Sequence, residues 1–92
     1  MPQIFKVGRY VIYFWSNENI PIETVHVQVS ESKPTKNATK IWVTSNGKCL
    51  LCHNNSKISD RILRNIEDII ETRIDEIIDQ WEKIFGEFKF YC

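Results

Sequence analysis

Thr24-Val25-His26-Val27-Gln28-Val29-Ser30 decides the fold. The stretch alternates strictly, with Val25, Val27 and Val29 on one side and Thr24, His26 and Gln28 on the other. A period of two residues is the signature of a strand with one buried face. Downstream, Thr39–Thr44 repeats the pattern, with Ile41 and Val43 facing inward and Lys40, Trp42 and Thr44 facing away. Asn46-Gly47 follows, a strong short-range hairpin signal, so Cys49–His53 is read as the returning strand. Upstream, Tyr10–Trp15 is β-branched and aromatic on both faces and reads as an interior strand. Ile4–Val7 precedes it across a Gly8-Arg9 turn. The polar break Ser16–Asn19 and Pro21 keep the next stretch out of a central strand. Short connections favour antiparallel neighbours.

Beyond Asn54-Asn55-Ser56 the period changes. Ile62, Leu63, Ile66, Ile69, Ile70, Ile74, Ile77, Ile78, Trp81, Ile84 and Phe85 recur at helical spacing. Ser59 and Asp60 suit a helix start, and Gly86 suits its stop. One helix over about 59–85 is expected, roughly 40 Å long at 1.5 Å per residue. Strands of typical length span only roughly 20 Å. Such a helix must therefore bend or bury its far half elsewhere, for example against a second copy. Phe88, Phe90 and Tyr91 form an apolar tail expected to return as an edge strand. The expectation is one α+β domain over 1–92: an antiparallel sheet of about five strands within about 3–53, the helix, and a tail over 87–92.

The 92 residues are 42% hydrophobic and 26% charged, ordinary globular usage. No apolar run approaches a membrane span, and Met1–Val7 does not resemble an export signal. A cytoplasmic, reducing location without a membrane partner is expected, and three cysteines fit a disulfide framework poorly. The net charge of zero divides unevenly. Residues 1–57 carry seven basic and three acidic side chains; residues 58–92 carry five basic and nine acidic. A basic sheet could approach a polyanion, or the two halves could simply attract each other. The helix acids Glu67, Asp68, Glu71, Asp75, Glu76 and Asp79 are read as a solvated face.

Cys49-Leu50-Leu51-Cys52-His53 matches the string for covalent haem attachment. In an extended strand, however, the two sulfurs stand roughly 10 Å apart along the chain. Zinc held by Cys49, Cys52 and His53 with His26 or Cys92 meets the same obstacle. Small core cysteines are the simpler account, and neither a metal nor a cofactor is expected. No glycine-rich phosphate loop or nucleophile elbow is present.

The face opposite the valines is the candidate site, with His26, Gln28, Lys40, Trp42 and Thr44. Histidine can move a proton near neutral pH, lysine can neutralise a phosphate, and aromatic rings can stack on bases. Those residue types suit metal-independent RNA cleavage, or alternatively a dimer or partner interface.

The strings Ile12-Tyr13-Phe14-Trp15-Ser16-Asn17-Glu18, Val25-His26-Val27 and Ala38-Thr39-Lys40-Ile41-Trp42, with Trp81 and Phe85-Gly86, resemble the small bacterial domain-of-unknown-function 4160 family. In the segment the family usually writes Glu-Pro-x-His-Val-His-Val, this chain keeps Glu23 and His26 and replaces the Pro and second His with Thr24 and Gln28. The resemblance implies a chain encoded beside a small partner, in the manner of a type II toxin–antitoxin pair. The residue types themselves, rather than the resemblance, set the expected roles. His26 is general acid or base, oriented by Glu23 or Glu18. Lys40 and Arg9 bind phosphate. Tyr13, Trp15 and Trp42 stack or shape the site beside Gln28. A non-catalytic module that binds a protein through the aromatic face or the acidic helix is the alternative. A homodimer, an antitoxin-like partner and RNA are the candidate partners.

Overall fold

The computed structural model describes residues 3–15, 24–35, 37–86 and 88–90. Among them, five strands run in chain order: β1 (Gln3–Val7), β2 (Tyr10–Tyr13), β3 (His26–Glu31), β4 (Thr39–Val43) and β5 (Cys49–Asn54). They form one antiparallel sheet whose spatial order is the chain order, β1-β2-β3-β4-β5. The expected antiparallel sheet and α+β class are present. At the β4–β5 hairpin, Gly47 donates to the Thr44 carbonyl at 3.1 Å and Thr44 N–H donates to the Lys48 carbonyl at 2.9 Å. Gly47 takes φ +80°, a conformation that costs a side chain-bearing residue steric energy.

The single long helix is corrected to two, α1 (Asp60–Thr72) and α2 (Ile74–Phe85). Ser59 caps α1, its Oγ accepting from Ile62 N–H at 3.5 Å. Arg73 leaves helical geometry at φ −123°, ψ 23°, although no Pro or Gly is near. Its guanidinium lies 4.0 Å from the Phe5 ring centroid and binds both Glu76 oxygens at 2.6 and 2.8 Å. The bend is held from both sides, by the sheet through Phe5 and by α2 through Glu76. A straight helix of roughly 40 Å would overrun a molecule whose longest extent is 33 Å. Folding at Arg73 lays both halves on the sheet, so helix length no longer calls for a second copy. α2 ends at Gly86, left-handed at φ 79°, as the sequence predicts.

The valine face is the core. Val25, Val27, Val29, Ile41 and Val43 meet Leu63, Ile66 and Ile70 of α1 and Ile77 and Trp81 of α2, with Phe5, Ile12 and Phe14. Trp81 packs on Phe14 (4.9 Å between centroids) and Phe85 (4.7 Å). Residues 88–90 form no strand, but Lys89 C=O accepts from Val25 N–H at 2.8 Å, and Phe90 packs on the core.

The opposite face has its own small core of Val11, Tyr13 and Ala38, flanked by Trp15. The β3–β4 loop folds back over it. The Tyr13 phenol donates to Thr35 C=O (3.0 Å) and accepts from Thr35 N–H (3.1 Å). With its one proton so used, it accepts the Ser30 hydroxyl at 2.7 Å. Ser56 secures the same loop by donating to Asn37 C=O at 3.0 Å.

Candidate functional site

Strand register sorts the expected site residues into rows on the face away from the helices. Tyr13 pairs with Gln28, Gln28 with Lys40, and Lys40 with His53. His26 pairs with Trp42, and Trp42 with Leu50. Lys40, Trp42 and Gln28 are therefore neighbours, as the alternation predicts. The Lys40 ammonium lies 4.5 Å from the Trp42 ring centroid, within cation–π range.

His26 occupies an outward-facing strand position, yet its side chain is only 2% exposed. Its ring meets Trp42 at 5.6 Å and Trp81 at 5.2 Å, both edge-on. Nδ1 lies 3.0 Å from Thr24 C=O. A carbonyl only accepts, so Nδ1 carries the proton. Trp81 comes from α2, so the helical layer meets the His26 ring at the start of β3.

Tyr13 is likewise fully buried, and its hydroxyl is saturated by Ser30 and Thr35, so it is a post for the loop rather than a stacking surface. Trp15 is half-buried and packs edge-on against Tyr13 at 5.6 Å. Arg9 stands in the β1–β2 turn, 3.6 Å from Glu31. Glu31 and His26 are the two ends of β3, about 17 Å apart at strand rise, so Arg9 is not brought to the site. Glu18, Glu23 and Cys92 lie outside the described residues.

His53 joins the site unannounced. A hairpin pairing Val43 with Cys49, Trp42 with Leu50 and Ile41 with Leu51 would, if regular, set Cys52 opposite Lys40. A bulge between Lys40 and Ile41 inserts one residue, and His53 takes that place. The side chain is half-buried, and its Nδ1 has no hydrogen-bond partner among the described residues. Gln28 Oε1, two strands away on the same row, also lacks one. Each buried polar atom left so costs about 1–3 kcal/mol.

Cys49 and Cys52 do not converge. The Cys49 thiol packs on α1, donating to Glu67 C=O at 3.7 Å, while Cys52 is exposed. Burial, then the carboxylates of Glu71, Glu67 and Asp68, push the Cys49 thiol up to about 12. Among the described residues no group of three or more His, Cys, Asp or Glu could hold a metal ion, and no helix is long and apolar enough to cross a membrane. Open hollows of about 650 and 270 Å³ lie on α1 and between α1 and the β1–β2 turn; neither involves His26, Lys40 or Trp42.

The molecule is thus a small α+β protein, an antiparallel meander with a bent helical layer on one face and a polar-aromatic strip on the other. The chain belongs to the family described as Domain of unknown function (DUF4160), whose model matches residues 10–82. No curated protein and no solved structure matches it.

Proposed function

We propose that this chain is a protein-binding module, the toxin-like member of a two-protein pair, which engages its small partner through the sheet face opposite the helices. One observation carries the proposal: the two side chains best suited by type to chemistry or stacking, His26 and Tyr13, are committed to the interior. What that face offers outside is the partly exposed Trp42, Trp15 and Lys40 with the exposed Leu50. Aromatic residues beside a few polar groups suit a protein interface.

The test is to purify the chain with the product of its neighbouring gene and measure binding by calorimetry. Trp42→Ala or Lys40→Glu should weaken it about tenfold or more, the scale of an interface hot spot. Full-strength binding by both variants would place the interface elsewhere.

Metal-independent RNA cleavage is the second reading, and a specific contact favours it. Lys40 and His53 are direct cross-strand partners, a cation beside a proton-transfer group. His53, rather than His26, would then be the acid or base. Cleavage of RNA in the presence of a chelator, lost in His53→Ala, would decide for it.

A further inference from the structure

β5 ends the sheet, and α1 does not finish covering it. Leu50 and Leu51 are 42% and 41% exposed, and their register places them on opposite faces: Leu50 faces Trp42, and Leu51 faces the core residue Ile41. Leu51 therefore stands on the helix side of the sheet with one flank bare. The outer edge is partly guarded. Cys49 N–H donates outward to Glu71 Oε2 at 3.0 Å, and the bulge interrupts the strand beyond Leu51. Residues of one strand edge alternate in direction, so Leu51, two beyond Cys49, also turns its N–H and C=O outward, between guard and bulge.

We propose that this edge joins a second copy of the chain about a two-fold axis through Leu51. Antiparallel pairing of β5 with its mate keeps both helical layers on the same side and sets Leu51 against Leu51 of the mate. The two residues exchange a pair of backbone hydrogen bonds and bury both side chains between the two α1 helices. Such an interface is isologous and closes at two copies.

Charge supports this occupant. α1 runs back along β5, because Cys49 at the strand's start touches Glu67 and Glu71 late in the helix. Leu51 lies about 7 Å further along the strand, equal to about four or five residues of helix rise. That offset brings exposed Arg64 level with Leu51, near the axis. Burial, then Glu71 and Asp68, raise the Glu67 carboxyl, and Arg64 lowers it. In the dimer each Arg64 lies between its own Glu67 and that of the mate. The short ladder, limited by Glu71 and the bulge, makes the association concentration-dependent.

Sedimentation of the whole chain over a concentration series tests this. A monomer–dimer equilibrium is expected. Leu51→Lys places two like charges on the axis and should leave only monomer. Arg64→Glu should weaken dimerisation about tenfold or more by turning exposed attraction into repulsion. The swap Arg64→Glu with Glu67→Arg should restore the dimer, an outcome no loss of folding can mimic. A monomer at every concentration overturns the proposal, as does a dimer indifferent to Leu51→Lys and Arg64→Glu. Binding of the small partner at the opposite face is scored separately, so either result leaves that one standing or falling on its own.

Discussion

Tyr13→Phe removes a single oxygen, and the structure fixes what that oxygen does. It accepts from Ser30 Oγ and Thr35 N–H and donates to Thr35 C=O, at 2.7–3.1 Å. The ring itself is fully buried and remains in the variant. Thr35 is exposed, so water replaces its two bonds and little is lost there. Ser30 is only 2% exposed, so its hydroxyl bears most of the desolvation penalty of an unmade bond, about 1–3 kcal/mol. Releasing the β3–β4 loop adds a smaller term, and the total is about 2 kcal/mol. In urea, with a slope of about 1 kcal/mol/M for a small domain, the midpoint falls by about 2 M. Amide exchange at Thr35 and Ala38 should accelerate, while that of Ile41 and Ile66 should follow only the global change. A midpoint within about 0.3 M of wild type, with Thr35 still protected, would refute the assignment of Tyr13 as the post that holds this loop.

Other perturbations separate the structural parts. Burial first, then Glu71 and Asp68, raise the Glu67 carboxyl. The folded state therefore holds that proton more tightly than the unfolded chain, and stability is lost as pH rises above the ordinary carboxylate value of about 4.5. Glu67→Gln should accordingly be more stable than wild type at pH 7 and show no gain below about pH 4, compared by thermal melts. In a Cys52→Ser, Cys92→Ser background, Cys49 should react with a thiol reagent at pH 8 only as fast as the protein opens, since its thiol is pushed up to about 12; prompt labelling would count against its packing on α1. Gly86→Ala places a side chain at φ +79° and should cost about 1 kcal/mol by denaturant titration.

The parts legible in the sequence were those with local causes. The valine alternation, Asn46-Gly47, Ser59 and Gly86 each act within a few residues, and the strands, hairpin and helix ends follow from them. Three features have distant causes. At the bend, the Arg73 guanidinium lies over Phe5, nearly seventy residues earlier. His26 sits at an outward-facing position, yet α2 brings Trp81 against it. Alternation reports direction from the sheet, not what another element places there. His53 was masked by the cysteine string around it, which suggests a metal, and by a bulge that changes its face through one inserted residue. Only the register reveals it as the partner of Lys40.

The most direct measurement for the central claim is an amide and indole NMR titration of the labelled chain with the proposed small partner, the product of its neighbouring gene. Shifts should concentrate at Gln28, Lys40, the Trp42 indole, Leu50 and His53, while Asp75, Asp79 and Lys83 on the outer side of α2 stay in place. Perturbation confined to α1 and α2, with the Trp42 indole unmoved, would contradict the account and assign binding to the acidic helical layer instead.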